Sequence, residues 1–273
     1  MKERRRLRRR RVLALFCVLL AVLLGAFIWL TWQSSVRISH IEVSNADSRI
    51  LALVQSKITG TYLGIIPRNS FFFIPEHAIR IAIIEADPGI QAVSISRTSV
   101  TSLTILLHER VPIARWCGST SSPQAALIPT DGEYCYLFDA VGFIYAASEV
   151  STSTQALNSF ALYAPLMNDT LEPLRATLAH AKQLPDLFDF ARKVSEFGSP
   201  VVTIMLRDDE VDLFLESGLS RAESRGTRLT YVLGDEENAF SNLMSAKANL
   251  NLSDGSLLYV DLRFPGKVYL KRK

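Results

Sequence analysis

Histidine is scarce in this 273-residue chain and cysteine scarcer, with four of the first and three of the second. The histidines (His40, His77, His108 and His180) fall in no His-Glu-x-x-His frame, which excludes the common zinc-peptidase arrangement. Gly-x-Ser-x-Gly and glycine-rich phosphate loops are absent too, removing the usual serine-hydrolase and nucleotide-binding frames. His108 and Glu109 are neighbours in a strand-like stretch and so point to opposite faces, which denies them a shared surface for acid–base work. No Cys-x-x-Cys pairing offers metal-ligand spacing. Asp208-Asp209-Glu210 is an acidic run that reads as a hairpin tip. These residues therefore lead us to expect no catalytic set, no cofactor, no metal and no small-molecule substrate.

An excess of either charge is also lacking, at 30 basic against 27 acidic residues. The balance is uneven along the chain. Residues 1–11 hold eight basic residues and one acid, so the remainder carries 22 basic against 26 acidic, a net −4. A mildly acidic bulk makes nucleic acid a poor partner, and the basic tail has a simpler use. Val12 to Trp32 is 21 residues without a charge. As a helix it would run about 31 Å, close to the ~30 Å hydrocarbon core of a bilayer. Positive flanks stay cytoplasmic, so the rest is expected across the membrane, with the arginines touching anionic lipid. A cleaved signal peptide is the alternative, but its apolar region is shorter and ends in small residues, whereas this one ends in Ile-Trp-Leu-Thr-Trp. The reading is a 1–11 cytoplasmic tail and a retained 12–32 anchor.

Cys17 lies inside that span and reads as a small apolar residue. Cys117 and Cys135 fall in the exported part, where disulfides persist, each beside a strand-like segment. We read them as a bridge, two separate thiols being the alternative.

After the anchor, Val36 to Val43 alternates as a strand, and Asn45-Ala46-Asp47 offers an N-cap. Ile50, Leu53, Val54 and Ile58 make a helical face that stops at Gly60. A second helix opens at Pro75 and ends at Asp87-Pro88-Gly89, and strands follow over Ala92–Arg97 and Leu103–Glu109. Ser151–Gln155 reads as a linker, and Thr170–Lys193 as a helix that Pro185 interrupts. VVTIMLR and VDLFLES read as alternating hairpin strands, Arg228–Leu233 as a strand, and Gly234-Asp235 as the cap of a helix reaching about Leu250. The last residues, YVDLRFPGKVYLKRK, read as a strand pair turning at Pro265-Gly266.

The order strand, two helices, two strands directly after an anchor, closing on HERVPIARW, resembles the POTRA module of the FtsQ/DivIB family of bacterial division proteins. Glu109, Pro112, Ala114 and Trp116 match the family's closing phrase, Tyr136–Phe143 resembles its Asp-x-x-Gly hairpin, and Asp261-Leu262-Arg263-Phe264 its Asp-Leu-Arg-aromatic phrase. The family's aromatic-Pro before the module's last strand is replaced here by Arg97 and Thr98-Ser99-Val100-Thr101. The resemblance implies an α+β architecture: a transmembrane helix, a POTRA domain over 36–112, and a mostly antiparallel β domain with flanking helices over 113–273.

It also implies a function: a non-enzymatic scaffold of the division machinery, sited at the septum, that helps regulate septal peptidoglycan synthesis. Its partners would be FtsB/DivIC-like and FtsL-like proteins and other members of that machinery. In the family the last strand of the β domain docks FtsB/DivIC, so Phe264, Lys267, Val268, Tyr269 and Leu270 are the candidate docking residues. Tyr259, Asp261 and Arg263 are further candidates, though a cross-strand ion pair would explain their charges equally well. The plain alternative is a last strand with solvated lysines. The competing functional classes are a POTRA-bearing transport component and a membrane-anchored wall hydrolase.

Overall fold

The structure, a computed structural model, describes residues 2–44, 48–119, 135–148, 158–168, 170, 172–217 and 226–273. The expected 45–47 cap, the 151–155 linker and most of the loop between Cys117 and Cys135 lie outside these residues. The chain divides into two compact units, Met1–Glu109 and Arg110–Lys273.

The first unit opens with helix α1, Lys2–Thr31, in which Arg10–Thr31 is long and apolar enough to cross a membrane. Strand β1 is His40–Val43, shorter than the pattern from Val36 suggested, because Ser34–Val36 closes a 3-10 turn instead. Helix α2, Ser48–Ile58, buries Ile50, Val54 and Ile58, four residues apart on its apolar face, with Leu53 packed partly against the same core. A two-stranded ribbon then intervenes that periodicity did not suggest: β2 is Thr61–Tyr62 and β3 Ile66–Pro67. Its strands are two residues each, too short for alternation to register. Helix α3, Glu76–Ala86, starts behind Pro75, whose missing N–H costs nothing at a helix entrance. β4, Ile90–Arg97, pairs antiparallel with β5, Ser102–Glu109, and β1 adds parallel to β5. The resulting order is β1-β5-β4, with Val54, Ile79, Ile83, Leu103 and Ile105 fully buried beneath α2 and α3.

The second unit is built on one nine-stranded sheet. Its strands are β6 (Ala114–Gly118), β7 (Cys135–Phe138), β8 (Ile144–Ser148), β9 (Ala161–Tyr163), β10 (Val201–Arg207), β11 (Glu210–Leu215), β12 (Arg228–Val232), β13 (Leu257–Phe264) and β14 (Lys267–Arg272). They lie in the order β14-β13-β12-β11-β10-β9-β6-β7-β8. Most pairings are antiparallel; β6–β9, β9–β10 and β12–β13 are parallel. Short β9 sits between β6 and β10, parallel to both, and joins the two halves of the sheet, with all three of its residues buried.

Helix α4 is Leu184–Ser195 and α5 is Glu236–Ala246, and their apolar faces join the sheet in one core. Phe190 of α4 lies 4.5 Å, centroid to centroid, from Tyr231 of β12. The helix expected over 170–193 is corrected here. Ala181–Gln183 is a 3-10 turn, and Pro185 sits in the first turn of α4, where proline is favoured, so it opens the helix. The alternation expected of VVTIMLR and VDLFLES also fails, since both strands are buried almost throughout. A strand covered on both faces carries apolar residues at successive positions. Helix α5 stops at Ala246, with a 3-10 turn over Lys247–Asn249 in place of a last α turn to Leu250.

The β7–β8 hairpin is held by one carboxylate. Asp139 Oδ1 accepts from the amides of Val141 and Phe143, both at 3.0 Å, and its other oxygen pairs with Arg110. Gly142 takes φ +75°, and a Cβ there would meet Ala181 at 2.8 Å, so the turn needs glycine on two counts. Cys117 and Cys135 are joined as a disulfide across β6 and β7.

Candidate partner-docking edge

β13 and β14 form an antiparallel hairpin in which Phe264 pairs with Lys267 across Pro265-Gly266, and Gly266 takes φ +68°. The turn is gripped from α5. Asn242 donates Nδ2 to the carbonyls of Phe264 (3.1 Å) and Leu262 (3.4 Å), and its Oδ1 accepts from Gly266 N at 3.0 Å. This residue was missed in the sequence. Its one signal was a polar side chain between Ala239 and Leu243, both on the buried face of a helix.

β14 is the edge of the sheet, and among the described residues no strand lies outside it. The direction of its backbone groups follows from one bond. Lys273 N donates to Ser256 O at 3.0 Å, toward the β13 side. In an antiparallel strand the orientation alternates, so Lys271, Tyr269 and Lys267 also face β13. The N–H and C=O groups of Val268, Leu270 and Arg272 are thereby turned to the open side.

The side chains divide similarly. Val268 packs against the core of the unit. Phe264, Tyr269 and Leu270 stay 46%, 51% and 38% exposed, and the first two rings meet edge-to-face at 5.4 Å. Lys267 and Lys271 are exposed on the same strand. The five first-rank candidates thus lie together at one rim, four of them accessible and Val268 partly covered.

The remaining three candidates have other commitments. Arg263 grips Asp261 with two bonds, Nη2–Oδ2 at 2.7 Å and Nε–Oδ1 at 3.0 Å, and reaches past β12 to Glu210 on β11. Arg263 thus makes one ion pair within its own strand and a second across strands to Glu210, so the alternative of a cross-strand pair accounts for its charge. Arg263's hydrogen bonds hold the Asp261 carboxyl below its ordinary value, against a smaller opposing effect of burial. Tyr259 takes the Arg228 guanidinium over its ring at 5.8 Å. Farther from the edge, Arg207 of β10 pairs with Asp212 of β11 at 2.7 Å, and Thr230 of β12 donates to the same carboxylate at 2.6 Å. This belt stiffens the sheet behind the edge.

Elsewhere the chemistry is sparse. Ser94 Oγ and His108 Nε2 approach to 3.1 Å on an exposed face of the first unit, a cross-strand contact that sequence spacing did not suggest. Glu109 follows His108 in the strand and so projects to the other face. Among the described residues no group of three histidine, cysteine or acidic side chains could hold a metal ion. A cavity of about 570 Å³ beside α4 is lined by Phe138, Phe188 and Arg192. Its charges are already engaged: Arg192 with Asn158 at 2.8 Å and with Asp189, and Asp139 with Arg110. In comparisons with protein-family models and with curated proteins, the chain matches none.

Proposed function

We propose that this chain is a non-enzymatic, single-pass membrane scaffold of the bacterial division complex, of the FtsQ/DivIB kind. Its basic tail holds the N-terminus in the cytoplasm, α1 anchors it, and both compact units lie outside, with the first acting as a POTRA-type module. It captures an FtsB/DivIC-like partner, itself paired with an FtsL-like protein, and through them helps regulate septal peptidoglycan synthesis. Capture occurs by strand addition, in which backbone bonds give affinity and alternate side chains give selectivity.

One observation carries this reading. β14 is an edge strand whose outward N–H and C=O groups at Val268, Leu270 and Arg272 have, among the described residues, no strand beside them, next to exposed Phe264 and Tyr269. Proteins ordinarily cover or blunt such an edge. Lys267 and Lys271 discourage pairing between like copies and favour an incoming strand that carries carboxylates. Co-purification of the full chain from solubilised membranes, with mass spectrometry of what accompanies it, is the direct test. A DivIC-like protein in the eluate and a fluorescent fusion concentrated at midcell are expected. A uniform peripheral signal without such a protein would end the proposal.

A further inference from the structure

The ribbon that periodicity missed carries an unusual residue. Leu63, at the tip between β2 and β3, is 95% exposed and has φ +50°, a left-handed conformation that leucine rarely takes. Ile65 beside it and Phe72 are exposed as well, at 49% and 46%. In water such a tip combines backbone strain with bare apolar surface, and both are unfavourable.

Its position within the first unit accounts for it. Trp32 Nε1 donates to the carbonyl of Ile65 at 2.7 Å, which ties the ribbon to the end of α1. Phe27 of α1 lies 6.1 Å, centroid to centroid, from both Phe72 and Phe73. Phe27 is four residues before Thr31, the end of the apolar span, which is about 6 Å along the helix axis. Groups that touch Phe27 therefore lie at the depth of the acyl chains when α1 crosses a bilayer. The same unit holds two half-buried arginines on aromatic faces, Arg37 over Trp32 at 5.9 Å and Arg68 over Tyr62 at 5.4 Å. Apolar tip, aromatic rings and cations are together the side-chain set of a group seated at a lipid interface.

We propose that the β2–β3 tip and Phe72 insert into the outer leaflet beside α1, with Arg37 and Arg68 at the phosphate level, so that the first unit is fixed to the membrane surface. The bilayer is the ligand, and its apolar contact relieves the exposure of Leu63. The inference rests on α1 crossing a bilayer, one part of the function proposed above, and on nothing at the β14 edge.

The test uses the full chain in nanodiscs of phosphatidylcholine and phosphatidylglycerol, with an environment-sensitive fluorophore on one thiol at a time. Cys17, the free cysteine among the described residues, reports on the span. Leu63→Cys, in a chain with Cys17→Ala, reports on the tip. Nitroxide-bearing acyl chains should quench both probes, the tip probe by about twofold with a blue-shifted emission. Adding Ile65→Asp and Phe72→Asp should abolish quenching at position 63. Quenching at 17 but water-like emission at 63 overturns the inference and leaves the anchor intact, and it is also the result expected if the tip served another protein's helix. Absence of quenching at both positions removes the anchor and the inference together.

Discussion

Asn242 shows how one buried amide can set the accessibility of an edge several residues away. Three bonds converge on the Pro265-Gly266 turn from this side chain, and the turn fixes where β14 begins. Asn242→Ala would leave two carbonyls and an amide with water or nothing, a cost of about 1–3 kcal/mol. We expect the second unit to melt several degrees lower, with faster amide exchange in β13 and β14; calorimetry and hydrogen exchange on the full chain check this. Asp261 adds a pH dependence of known sign. Arg263 depresses its folded pKa below the ordinary 3.8, so its contribution is complete above that value and is lost as pH falls through the depressed one. Asp261→Asn should therefore be less stable than the parent at neutral pH, with the gap closing in acid. Thermal unfolding of both proteins across a pH series measures it, and a gap independent of pH would contradict the assignment.

At the level of the element, the alternation of β14 makes adjacent positions unequal. Proline removes one amide donor. At Val268 that donor faces the open side, whereas at Tyr269 it belongs to the ladder with β13. Val268→Pro should leave the unit folded, with near-native circular dichroism, and reduce capture of the DivIC-like partner at least tenfold in a pull-down. Tyr269→Pro should unfold the hairpin itself. Tyr269→Lys, which keeps the amide and removes the aromatic contact, should weaken capture without unfolding. Equal capture by Val268→Pro and the parent would show that the edge is not the binding element. Lys271→Glu should slow association mainly at low salt, since an exposed charge acts through long-range steering.

The whole molecule, as proposed, has one orientation, and the tail sets it. Replacing the eight basic residues of 1–11 with asparagine should leave α1 able to insert but no longer directed. A reporter active only outside the cytoplasm, fused after Lys273, should then lose much of its signal. An undiminished signal would place the orienting determinant elsewhere. Across the second unit the sheet is continuous from β8 to β14, so a captured strand would extend one nine-stranded array. Its continuity depends on β9, which pairs with β6 on one side and β10 on the other.

Amphipathic periods, charge asymmetry and turn residues are local, and they were legible. Ile50, Val54 and Ile58 lie four residues apart because an α-helix repeats every 3.6, and the chain carries that spacing wherever it folds. The apolar run of α1 and the Pro265-Gly266 hairpin are similar cases. What failed was decided by distant packing. Pro185 can break a helix or begin one, and only the placement of Leu187, Phe190 and Val194 against the sheet selects the second. β9 is three residues long and is a strand because β6 and β10 lie on either side of it. The open position of β14 is of the same kind. A sequence can specify that a segment is extended, but an edge is a statement about which neighbours are present, and those neighbours are set by the fold.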